Sequence, residues 1–69
     1  MKLSARNQIA GTVTNITEGP ATAVVELDVN GLRLVSSITA EAASELGLAE
    51  GSQVTAVIKA SDVILATDG

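Results

Sequence analysis

The chain has 69 residues and no cysteine, histidine or aromatic residue. One domain is the most it can form, and disulfides, thiolate or imidazole metal sites and imidazole acid–base catalysis are excluded. Its net charge of −4 opposes nonspecific binding to nucleic acid or acidic lipid, and no apolar run approaches the roughly 20 residues of a membrane span.

The hydrophobic fraction is 46%, yet the core must be built from Val, Ile, Leu and Ala alone. Small side chains bury little area each, and a domain of this size hides only about 60% of the surface its unfolded chain exposes. Without a disulfide or a metal, self-association is the staple left to it. The opening Met1-Lys2-Leu3-Ser4-Ala5-Arg6-Asn7-Gln8 has no apolar leader region, which points to the cytoplasm.

Gln8 to Ile16 reads as the first strand, rich in Thr, Val and Ile, with Gly11 marking a bend or a close backbone approach. Glu18-Gly19-Pro20 breaks it. Ala21 to Val29 alternates, with Ala23, Val25, Leu27 and Val29 on one face and Thr22, Glu26 and Asp28 on the other. Asn30-Gly31 is a strong hairpin signal, and Leu32 to Ile38 returns as the third strand. Thr39 is placed to cap a helix over Ala40 to Leu46, with Glu41 in the first turn and Gly47 at C′. Gln53 to Lys59 reads as the fourth strand and Val63 to Ala66 as a short fifth.

Three strands, a helix and two strands is the order of an all-β, five-stranded OB-like barrel with one short helix between strands three and four. An SH3-like barrel would present a similar string. Val24, Val35 and Val57 alternate away from their strands' core residues. Three such valines on different strands imply a second buried surface and hence an oligomer.

Chemistry-bearing residues are few. Glu41 and Glu45 are one helical turn apart, which is the spacing of a solvated helix face far more often than of a carboxylate pair. The glycines are isolated, so no phosphate-cradling loop is present. The basic residues say more, because there are only four. Arg6 stands two residues after Ser4, and Lys59 two residues before Ser61. In extended backbone, residues i and i+2 point the same way, so each pair can offer one charge and one hydroxyl donor to a common point. A tetrahedral dianion accepts hydrogen bonds only, and such a donor set suits it. Strand-end cations beside loop serines are also ordinary solvated surface, so spacing alone leaves both readings open. Arg33 is expected to face Glu26 or Asp28 across the hairpin.

The run Ser4-Ala5-Arg6-Asn7-Gln8-Ile9-Ala10-Gly11-Thr12-Val13 resembles the opening of the molbindin, or Mop, domain. Thr55-Ala56-Val57-Ile58-Lys59-Ala60-Ser61-Asp62-Val63 resembles its closing motif, and Ser37-Ile38-Thr39 and Leu46-Gly47-Leu48 with Gly51 fit between them. The resemblance covers Leu3 to about Ala66 and makes residues 1–69 one Mop domain. It implies an OB-like fold, binding of molybdate or tungstate, no cofactor and no enzymatic activity. It implies a homo-oligomer, typically a hexamer built as a trimer of dimers, with the anions held between subunits. By motif, Ser4, Arg6 and Asn7 would contribute from one subunit. Lys59, Ala60 (through its backbone N–H) and Ser61 would contribute from another. The family has a second class of site near its symmetry axis, for which the turn holding Gly19 and Thr22 is the candidate here. With no DNA-binding or ATPase segment in these residues, the expectation is a free-standing form that stores or buffers the oxyanion. Asp62 carries the wrong sign for an anion and is expected to point away, or to orient Lys59 or Arg6.

Two other classes compete. A nucleic-acid-binding OB module would use a basic groove and aromatic stacking, worth about 1–3 kcal/mol per base, and this acidic chain has no aromatic residue. A purely structural oligomerising module would explain the second apolar face without a ligand. An enzyme finds least support, since no base or nucleophile stands beside the two cations.

Overall fold

In a computed structural model that describes residues 3–69, the chain forms β1 (Asn7–Glu18), β2 (Thr22–Val29), β3 (Leu32–Thr39), α1 (Ala40–Glu45), β4 (Gln53–Ile58) and a 3-10 turn at Ala60–Asp62. Met1 and Lys2, which open the segment expected to lack an apolar leader, lie outside the described residues. The strands make one antiparallel sheet in the order β3-β2-β1-β4.

The local reasons are those of the residues. Asn30 and Gly31 take φ of 51° and 87°, the two positive values that a tight hairpin turn between β2 and β3 requires. The Thr39 hydroxyl accepts from the Ala42 N–H at 3.0 Å and caps α1. The helix stops one residue earlier than expected, with Leu46 as its C-cap and Gly47 at φ 63°. The Gly47 N–H donates to Ser44 O and the Leu48 N–H to Ala43 O, the paired bonds of a Schellman ending. That ending drops Leu48 onto the core.

The core is aliphatic and small. Val13, Val25 and Leu27 are buried together, with Ile16, Leu34, Ile38, Leu48, Val54 and Ala56 packed around them. Gly11 is buried in the close approach expected of it: a Cβ there would stand 3.0 Å from Val29 Cγ2 and 3.1 Å from the Asp28 carbonyl. β1 also carries an irregularity that alternation does not foresee. Val13 pairs with Leu27 and Asn15 with Glu26, so Thr14 is an extra residue and the register shifts. Gly11 and Val13 are buried before this bulge, and Ile16 packs on the core after it.

Two expectations need correcting. There are four strands among the described residues, not five: Val63 to Ala66 forms no ladder, and Ile64 and Leu65 are 92% and 87% exposed. A strand needs a partner for its backbone groups, and after the 3-10 turn no strand of the chain's own sheet pairs with this segment. β4 likewise ends at Ile58, because Lys59 becomes the cap of that turn. The closed barrel is therefore open in a single chain. An apolar cleft of about 300 Å³ lies along the sheet's inner face, lined in part by Leu34, Ile38, Leu48, Val54, Ala56 and Ile58. Val24, Val35 and Val57 remain partly exposed, as their alternation predicts.

Candidate functional site

β1 and β4 run antiparallel, and their last paired residues are Asn7 and Ile58. Arg6 precedes that rung and Lys59 follows it, so the two segments singled out in the sequence emerge at the same end of the sheet. Asn7 adds a bond of its own: its side-chain amide donates to the Ile58 carbonyl at 3.2 Å. Lys59 is extended, at φ −61° and ψ 138°, and its carbonyl accepts from the Asp62 N–H at 2.9 Å. The Val63 N–H donates to Ala60 O at 3.2 Å. The turn's own bonds thus use the N–H groups of Asp62 and Val63 and not those of Ala60 and Ser61.

The electrostatics separate the cations. Arg33 is paired with Glu26, which also accepts from the Asn15 amide at 2.9 Å. Those bonds, the Asn15 amide foremost and then the Arg33 guanidinium, hold the Glu26 carboxyl below its ordinary value. Arg33 stands directly opposite Asp28 in register but reaches diagonally to Glu26, while Asp28 accepts from the Gly31 N–H in the turn. Among the described residues, Arg6 and Lys59 have no carboxylate within ion-pair distance. Asp62 pairs with neither of them. Ser4, Arg6, Lys59, Ala60 and Ser61 are all exposed, and Asn7 is half-buried. One chain therefore presents the donors on an open surface, without walls to exclude water.

Gly19 and Thr22 lie at the far end of β1, eleven residues along the strand from the Asn7 rung at about 3.3 Å per residue. The Gly19 N–H donates to Thr22 O at 2.8 Å, which closes that turn on itself. Within one chain the structure does not bring this pair to the other candidates. Glu41 and Glu45 are exposed, as a solvated helix face should be. Among the described residues, no group of three or more His, Cys, Asp or Glu is arranged to hold a metal ion. Among the described residues, no helix is long and apolar enough to cross a membrane.

The Arg33–Glu26 pair is one of the two expected from the hairpin, but sequence reasoning missed the Asn15 bond to Glu26 and the Asn7 bond to Ile58. The first depends on the Thr14 bulge, whose only trace in the sequence is that Val13 and Ile16, three apart, both want the core.

The fold and the exposed donor set define a small all-β domain with a cationic strand end. A family model described as the TOBE domain matches residues 3–65. Molybdenum-pterin-binding protein 1 of Clostridium pasteurianum is 42% identical over 66 residues, covering 94% of this chain and 97% of that protein. The solved molybdate-binding protein of Sporomusa ovata superposes with a TM-score of 0.94 at 36% identity, over 97% of this chain and 100% of that one. The cytoplasmic molybdate-binding protein ModG, solved with molybdate bound, gives a TM-score of 0.89 at 48% identity, over 93% of this chain and 46% of that one. The chain belongs to the TOBE family, and its relatives there are the molybdenum-pterin-binding proteins that the molbindin resemblance anticipates.

Proposed function

We propose that this chain binds molybdate or tungstate, without catalysing a reaction, and stores or buffers the oxyanion in the cytoplasm. The site is formed by Ser4, Arg6 and Asn7 of one copy and Lys59, Ala60 and Ser61 of another, in a homo-oligomer built as a hexamer of three dimers. Residues 1–69 act as one Mop domain of OB-like fold, with no cofactor beyond the anion. A second class of anion site involves the turn at Gly19 and Thr22.

One observation carries the reading. Arg6 and Lys59 flank the same rung, each two residues from a hydroxyl, and both lack a carboxylate partner among the described residues while Arg33 has one. Unneutralised cations beside hydroxyl donors at an exposed strand end are an electrostatic demand for an anion, and the strand end of a second copy supplies the other half of the site. The relatives named for molybdenum-pterin or molybdate support molybdate as the anion.

Assembly is supported separately. The Cα radius of gyration is 13.1 Å, against about 11 Å expected for a compact chain of this length, and Val63, Ile64 and Leu65 stand exposed. β3 and β4 both keep a free edge, and the inner face between them is apolar. A strand without a partner and an edge without a strand are complementary defects, and a second copy removes both. This observation also favours the second reading, a structural module that assembles without any ligand. Native mass spectrometry with molybdate, and with sulfate as control, separates the two. A discrete oligomer that gains a fixed number of molybdates supports storage at subunit interfaces. An oligomer whose mass ignores molybdate leaves the structural module.

A further inference from the structure

We infer that Asn7 serves this site as a positioning residue, gripping the peptide that carries Lys59 of its own copy. The inference rests on the oxyanion reading above and assigns a role within it. Three observations lead to it. Alternation along β1 sets Asn7 on the same face as the buried Gly11 and Val13, and Arg6 and Gln8 on the other. Asn7 is half-buried where Arg6 and Gln8 are exposed. Its amide N–H is already directed to the Ile58 carbonyl at 3.2 Å, an acceptor that fixes which end of the amide faces it.

The Ile58 carbonyl and the Lys59 N–H belong to one planar peptide unit. Holding that carbonyl sets the plane from which Lys59 departs. On the other side the Lys59 carbonyl is held by the Asp62 N–H at 2.9 Å. The backbone of Lys59 is thus tied at both ends, and of those two ties only the Asn7 bond reaches across from the segment that carries Ser4 and Arg6. Through this bond the Asn7 of each copy orients the Lys59 of that same copy, and with it the half of the site that the copy lends to its neighbour.

The test combines calorimetric molybdate titration with hydrogen exchange on the ligand-free protein. Asn7→Ala is compared in three backgrounds: parent, Arg6→Ala and Lys59→Ala. Loss of one side-chain-to-backbone bond corresponds to roughly a three- to tenfold weaker affinity in the parent. A positioning residue that acts through Lys59 loses most of its effect once Lys59 is Ala and keeps it once Arg6 is Ala. Exchange at residues 58–62 should quicken in Asn7→Ala before any anion is added. A purely structural residue would lower the melting temperature and give equal losses in both backgrounds, which overturns the inference. Equal losses with unchanged exchange make Asn7 a direct ligand, and also overturn it. Asn7→Ser, which keeps a short donor at the strand end, repeats the series if the Ala variant fails to fold. A parent protein that does not bind molybdate removes the site and this role with it, whereas normal binding with unaltered coupling removes the role alone.

Discussion

Replacing Arg6 or Lys59 by Ala should abolish most anion binding while leaving the fold almost untouched. Both side chains are exposed and neither has a carboxylate partner among the described residues, so truncation strands no opposing charge. A charge-assisted hydrogen bond contributes about 1.5–3 kcal/mol, which is roughly 10- to 100-fold in affinity for each cation removed. Arg33→Ala supplies the control. It removes the same charge from β3, two strands from β1 in the sheet order, and it breaks the pair with Glu26. At physiological ionic strength the screening length is about 8 Å, so a charge that far away should scarcely be felt at the strand end. Isothermal titration with molybdate at fixed salt reads the affinities, and thermal melts of the same samples read the fold. The reasoning fails if Arg6→Ala and Lys59→Ala bind like the parent. It fails equally if Arg33→Ala weakens binding as much as they do, since the effect would then be one of net charge.

Other expectations follow from particular contacts. Gly11→Ala sets a methyl 3.0 Å from Val29 Cγ2 and 3.1 Å from a backbone carbonyl, and overpacking of this kind costs about 1–3 kcal/mol, to be read as a lower urea midpoint at unchanged slope. Glu26, whose carboxyl is held below its ordinary value of 4.5, favours the folded state above that pH, and this contribution is lost as pH falls through the lowered folded value. Glu26→Gln should therefore flatten the acid limb of a melting-temperature profile, and an unchanged limb would remove Glu26 from it. Ile64→Asp places a charge on a side chain that is 92% exposed in one chain. It should leave monomer folding alone but shift sedimentation toward smaller species, and a parent-like profile would take the segment out of the interface.

Much of the fold could be read directly from residues with local roles. Thr39, Gly47 and Asn30-Gly31 act within a few residues of themselves, so their cap, stop and hairpin follow from local chemistry. The faces of β2 follow from strict alternation over residues 23–29. The failures have a common cause in partners that are distant or absent. The bulge at Thr14 shifts β1 against β2, and only the opposing strand reveals it. Val63 to Ala66 has the composition of a strand, but composition does not supply the edge on which a strand must lie. The site divides in the same way. Spacing picked out both cation–hydroxyl pairs as candidates without deciding between a site and solvated surface, while their emergence beside one rung needed the pairing of Asn7 with Ile58. The Asn7 amide bond needed it as well, whereas the Asn15 bond needed the Thr14 bulge between β1 and β2.

The rung at Asn7 and Ile58 joins residues 51 apart in sequence, whereas β2 and β3 meet across a two-residue turn, Val29 against Leu32. Bringing together ends that far apart costs roughly 2.5 kcal/mol more chain entropy than closing the hairpin. The hairpin should accordingly form early and the β1–β4 pairing late, with the same end opening first under native conditions. Hydrogen exchange would then run faster at residues 7–10 than at residues 23–27, and the reverse order would refute this. The cations stand beside the rung where the longest loop in the chain is shut. Opening of that end would part the two cation–hydroxyl segments of a chain, which makes the candidate site the first region of the sheet to lose its shape.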